Sequence, residues 1–156
     1  MDESDRMLLA HIEEFGCHVI SVSYPSDEHL QFTYSVGIQK SSGAPEVIVI
    51  GLKRELAAAI VNDYNKQVQA GARFSTNKLY EGFLEGFFVC FSLVPKTQYH
   101  DHFGSNLWLY KNDSFDVLQL IWPSTSGVWP WEPEATPWLR KNQPILGAQP
   151  LVANEA

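Results

Sequence analysis

The chain reads as α+β: a single domain with a mainly antiparallel sheet, two main helices and a Trp/Pro-rich C-terminal loop. Two stretches with helical spacing, 4–16 and 53–70, are separated and followed by β-rich runs in the order α-β-β-β-α-β-β-β. A length of 156 residues matches one ordinary domain, and neither an internal repeat nor a linker-like stretch divides it. The globular part is expected over 1–144, with a tail over 145–156.

"SDRMLLAHIEEFG" predicts the opening helix, capped by Ser4 or Asp5, with Leu8, Ile12 and Phe15 on one face and Gly16 as the left-handed stop. "CHVISVS" (17–23) and "LQFTYSVGI" (30–38) flank the turn-forming "YPSDEH" and predict an antiparallel hairpin. "EVIVIGL" (46–52) is a continuous apolar run and predicts a strand buried on both faces. The stretch 53–70 is the clearest helix, with Leu56, Ala59, Ile60 and Tyr64 assigned to its inner face. "GFFVCFSLV" (86–94) and "SFDVLQLIW" (114–122) predict two more strands, and "LWLY" (107–110) a short one between them. The segment from 142 has no period and is expected to run over the surface and fray.

Hydrophobic residues make up 45% and charged residues 19%, values of a chain that folds. The net charge of −7 is spread along the chain, and Lys and Arg never gather beyond the pairs Lys53-Arg54 and Arg140-Lys141. Nucleic acid is therefore not an expected partner, because no patch would neutralise phosphates. A basic protein partner, or a neutral or cationic small ligand, fits the charge better. No apolar run reaches the length of a membrane span, no secretory h-region is visible, and the two cysteines show no framework spacing. The expected location is the cytoplasm.

Few residues carry chemistry on their spacing alone. "HDH" offers His100 and His102 as a metal-ligand pair if the segment is extended, with Asp113 or Asp116 as tertiary additions; the bland reading is two solvated histidines. Cys17 and His18 are neighbours and would face opposite sides of a strand, and Cys90 in "FFVCFSL" reads as a small buried hydrophobe. Nucleophile-elbow, phosphate-loop, dinucleotide and zinc-protease signatures are all missing, so no catalytic residue is assigned. In "FTYSVG", Thr33, Ser35 and Gly37 form a small hydroxylated row that either admits a ligand close to the backbone or packs under another element.

Four of the five tryptophans and four of the nine prolines fall within "QLIWPSTSGVWPWEPEATPW" (119–138). Burying one Trp removes about 150–250 Å² from water, worth about 4–6 kcal/mol before entropy. Trp122 is therefore expected in the core, at the end of a strand. Trp129 and Trp131, either side of Pro130, would face opposite sides of an extended clasp, leaving one ring outward. That ring, with Glu132 and Glu134 nearby, is the candidate contact for a protein or a flat or cationic ligand.

Taken together and in this order, "FTYSVG", "PEVIVIGL", "GARF", "LQLIWP" and "GVWPWE" resemble a bacterial domain-of-unknown-function family, number 4262, over about residues 8–144. The family pattern carries an acid after "WP", where this chain has Ser124. The resemblance implies a small bacterial cytoplasmic domain without an assigned activity. By analogy with other such families, including toxin-neutralising immunity proteins, it points to partner binding. The layout of a polar-alternating strand, "PE" and a buried strand is also similar to flavin-reductase-like split barrels, which implies a flavin against Thr33, Ser35 and Gly37 as the enzymatic alternative. The leading expectation is a non-enzymatic binding domain without a cofactor, engaged at Trp129, Trp131 and Glu132, with Thr33 and Ser35 as further contacts. A metal-dependent enzyme using His100 and His102 is the third reading.

Overall fold

The computed structural model describes residues 1–24 and 27–152. Pro25 and Ser26, within the expected hairpin turn, lie outside the described residues, as do 153–156 at the end of the expected tail.

Helix α1 (Glu3–Phe15) starts earlier than its sequence signals indicate. Asp2, not Ser4 or Asp5, is the N-cap: its carboxylate accepts the Asp5 N–H at 2.8 Å, and the Asp5 carboxylate accepts the Asp2 N–H at 3.4 Å. Leu8 and Ile12 are buried as expected, but Phe15, in the last turn, is 59% exposed and sits beside the His11 ring instead of the sheet.

Strands β1 (His18–Tyr24) and β2 (Asp27–Val36) form the expected antiparallel hairpin. A short helix α2 (Ile38–Ser42) leads to β3 (Glu46–Ile50), every residue of which is buried. Gly37 turns the chain into α2 at φ 96°, and a Cβ there would lie 2.6 Å from the Ile12 side chain. Helix α3 (Arg54–Gln69) buries Ala57, Ile60, Val61, Tyr64 and Val68, while Leu56 and Ala59, assigned inward by sequence, face outward. The stripe Ala57, Val61, Tyr64 and Val68 carries helical spacing through two valines that the expected face left out.

Next come β4 (Tyr80–Leu84), which the sequence reading missed, and β5 (Phe87–Leu93). A single 3₁₀ turn, Lys96–Gln98, precedes α4 (Tyr99–His102) and α5 (Gly104–Tyr110); β6 (Val117–Ile121) and α6 (Pro137–Asn142) follow. The expected strand at "LWLY" is thus the second half of α5. Helical spacing puts Phe103, Asn106, Leu107 and Tyr110 on one side, and Asn106 Nδ2 donates to the Ser35 carbonyl at 2.8 Å.

The six strands run in the order β1-β2-β3-β6-β5-β4, antiparallel except for the β3–β6 pair. The helices cover both faces of the sheet. Val47 and Val49 join α3 residues such as Ile60 and Tyr64 in one core. Ile48 and Ile50 join Ile12 of α1, Tyr99 of α4 and Phe103 in the other. A strand apolar at every position needs cover on both sides, and β3 obtains it. The chain is one α+β domain. No helix among the described residues is long and apolar enough to cross a membrane.

The segment after α6 is pinned where fraying was expected. Gln143 donates to the Trp122 carbonyl at 2.7 Å and accepts the Trp122 N–H at 2.9 Å. Gln119 does the same for the Pro144 carbonyl and the Leu146 N–H, at 2.9 and 3.0 Å. These two buried amides thus fasten the segment after α6 to β6 and to the residue that follows it, and satisfy its backbone groups.

Candidate functional site

The amino end of β3 is closed around a carboxylate. Glu46 is fully buried, and its Oε1 accepts the Ser35 hydroxyl at 2.8 Å and the Ile38 N–H at 3.0 Å. Its Oε2 accepts the Gln39 N–H at 3.0 Å and the Tyr110 hydroxyl at 2.6 Å. Both hydroxyls also accept a backbone N–H, Ser35 from Val47 and Tyr110 from Lys40, each at 3.0 Å. Their own protons are thereby directed at Glu46. Burial pushes the Glu46 carboxyl up from its ordinary range, and the four hydrogen bonds act against that rise. The carboxylate also serves as the N-terminal cap that α2 lacks. In sequence, the signal for this centre is an acid heading a strand whose other residues are all apolar.

At the carboxyl ends of β3 and β6 the molecule opens. A cleft of ≈ 500 Å³ is walled by Leu52, Leu56, Leu84, Trp122, Val128 and Trp138, with Ser124, Thr125, Thr136 and Glu134 supplying its polar groups. The walls are firmly held. The Trp122 indole donates to the Ile50 carbonyl at 2.8 Å. The Ser124 hydroxyl accepts the Val128 N–H at 3.1 Å, and Thr136 caps α6 by accepting the Leu139 N–H at 3.1 Å. Arg140 ties α6 back to the preceding loop through the Pro130 and Glu132 carbonyls at 3.2 and 2.8 Å. Gly51, at φ 93°, lets the end of α6 close in: a Cβ there would fall 2.1 Å from the Asn142 carbonyl oxygen. Trp138 is 60% exposed and Leu56 41%, so the cleft has an apolar, solvent-facing lip.

The domain of unknown function family DUF4262 matches residues 11–136. The chain belongs to this family. The matched span contains the whole Glu46 centre and most of the cleft, and it ends just before α6 and Trp138. Comparison with curated proteins and with solved structures gives no match.

Trp122 is buried as the sequence indicated. Trp129 and Trp131 do not face opposite ways. Their rings are parallel, with centroids 5.4 Å apart, because the backbone turns at 129–132 instead of extending; the Glu132 N–H donates to the Trp129 carbonyl at 3.0 Å. Trp129 is the inner ring, packed on Cys90 and Ile121, and Trp131 the half-buried outer one. The Glu132 carboxylate accepts the Trp129 N–H at 2.8 Å and so helps hold the turn.

Thr33 and Ser35 are buried on the α3 side of β2. The Thr33 hydroxyl is paired with Ser21 at 2.8 Å, and Ser35 belongs to the Glu46 centre. Gly37 lies against Ile12, so this row packs under other elements. His100 and His102 are not on an extended segment. They lie on α4, where residues two apart face opposite sides; His100 is exposed, and buried His102 contacts the Tyr24 hydroxyl and the Gln98 carbonyl, each at 3.0 Å. Asp113 and Asp116 are exposed, and no three metal-capable side chains come together among the described residues. Cys17 and Cys90 are free and buried, and burial pushes both thiols up to about 12, far from a reactive thiolate. A pair that the sequence reading did not single out is His11 and His18, whose Nδ1 atoms lie 2.8 Å apart. Desolvation and the neighbouring His11 lower the pKa of His18.

Proposed function

We propose that the chain is a bacterial cytoplasmic binding domain without catalytic activity, and that its site is the cleft at the carboxyl ends of β3 and β6. The observation that carries this is the cleft itself: ≈ 500 Å³, walled by aliphatic and indole side chains, with hydroxyls and one carboxylate at its edge. That volume and lining match sites that take an apolar group and orient it with a few polar contacts. Its position agrees with the tendency of ligands to bind beyond the carboxyl ends of neighbouring parallel strands. The buried thiols and the enclosed Glu46 favour binding over catalysis, since a catalytic group must meet its substrate.

The site thereby moves from Trp131, the outer ring of the clasp, to Trp138 and Leu56 on the lip. Nile red, a neutral dye that brightens in apolar surroundings, tests it. The protein is expected to enhance its fluorescence, and Leu56→Arg and Trp138→Ala each to weaken the apparent affinity about tenfold, the loss of one well-buried apolar contact. Equal dye binding by the parent and both variants would remove the cleft as the site.

A further inference from the structure

The cleft does not end at Leu84 and Phe87. The same two residues help line a second hollow of ≈ 570 Å³ over the β4–β5 hairpin, which adds Glu81, Glu85 and Phe88. Phe88 is 44% exposed, so apolar surface faces solvent on both sides of the shared wall. The ionisable residues lining the two hollows are Glu81, Glu85 and Glu134; no Lys, Arg or His lines either. All three are exposed, and their carboxylates carry no hydrogen bond or ion pair among the described residues. Four acids elsewhere have structural roles, Asp2 and Asp5 in a capping box, Glu46 in its cage and Glu132 on the clasp, whereas Glu3, Glu13 and Glu14 on α1 are exposed and line neither hollow.

We infer that the paired hollows receive a basic amphipathic segment of a protein partner, whose apolar side chains enter the hollows while Lys or Arg residues meet Glu81, Glu85 and Glu134. This rests on the reading of the cleft as the binding site. Three carboxylates distributed over a hairpin and a separate loop are poorly matched by one small cation, whereas a peptide can set cationic groups at several points. Charge complementarity of this kind governs partner choice and encounter rate more than affinity. A net charge of −7 disfavours nucleic acids and anionic lipid surfaces at the same place.

A synthetic Lys/Leu amphipathic peptide and its Glu/Leu counterpart, titrated into the full chain by fluorescence anisotropy, test the inference. The Lys/Leu peptide is expected to bind at least tenfold more tightly than the Glu/Leu peptide and to weaken as salt is raised. The triple variant E81Q/E85Q/E134Q is expected to lose about tenfold for the Lys/Leu peptide, and the double variant E81Q/E85Q, which leaves the cleft lining untouched, to keep Nile red. The control triple E3Q/E13Q/E14Q, with its changes on α1 at the opposite edge of the sheet, is expected to change less than twofold. Equal losses in the two triples, or equal binding of the two peptides, would overturn the inference. Nile red binding without Lys/Leu binding would leave the cleft standing and sink only the basic partner; failure of both probes would sink the cleft as well. A dimer in sedimentation that Trp138→Ala abolishes would assign the groove to a second copy of the chain and likewise overturn the inference.

Discussion

At its amino end β3 begins with a carboxylate that four donors hold away from water, whereas just beyond its carboxyl end Leu52 helps wall a cleft that Leu56 and Trp138 leave open to solvent. The same short strand thus separates a polar centre with its hydrogen bonds made from an apolar surface open to solvent. A satisfied buried network gives rigidity and tolerates little loss, because each orphaned donor carries its full desolvation penalty. An open apolar lip contributes little to folding and leaves its contact energy for a ligand. Changes at the first end should therefore register as stability, and changes at the second as binding.

Glu46→Ala is the strongest way to break this division. It orphans the Ser35 and Tyr110 hydroxyls and the Ile38 and Gln39 amides, each at about 1–3 kcal/mol, so a loss of more than about 4 kcal/mol is expected in urea denaturation. A loss below about 1 kcal/mol would show that the centre does not support the fold. Tyr110→Phe is milder. It removes one donor to Glu46 and the acceptor of the Lys40 N–H, with an expected cost of about 1–3 kcal/mol and little change in Nile red affinity. Smallest of all, Trp138→Ala should shift stability by no more than about 0.5–1 kcal/mol, because the ring is 60% exposed, even as dye affinity falls. If Trp138→Ala instead destabilised the domain as much as Tyr110→Phe, the lip would be part of the core and the contrast between the two ends would fail.

The elements that could be read from the chain are those whose signal is local. Alternation in "FTYSV" sends Phe32, Tyr34 and Val36 into one core and Thr33 and Ser35 to the other side. The unbroken run in β3 required cover on both faces and received it. Two failures share one cause: the local pattern admitted two answers and a distant contact chose. "LWLY" is as apolar as a short strand, yet helix α5 lets Asn106 reach the Ser35 carbonyl and Tyr110 reach Glu46. Leu56 fits an inner helical face as well as Val61 does, until the sheet selects the stripe through Val61 and Val68. A third failure is local: Trp129 and Trp131 would diverge on an extended chain, but a turn closed by Glu132, three residues after Trp129, stacks them.

For the candidate site, sequence marked the aromatic and proline-rich segment and the acidic balance, and both are part of the cleft and its surroundings. It did not mark which ring would face out. That depended on Arg140 anchoring α6, on Gly51 admitting the Asn142 carbonyl, and on the β4–β5 hairpin coming beside the loop through Leu84 and Phe87. By itself the sequence determined the α+β class, the hairpin, the buried strand and the long helix, because side-chain periodicity acts between residues a few positions apart. Only the tertiary structure decided that Glu46 would be caged and Trp138 exposed, because both outcomes depend on residues brought together from distant parts of the chain.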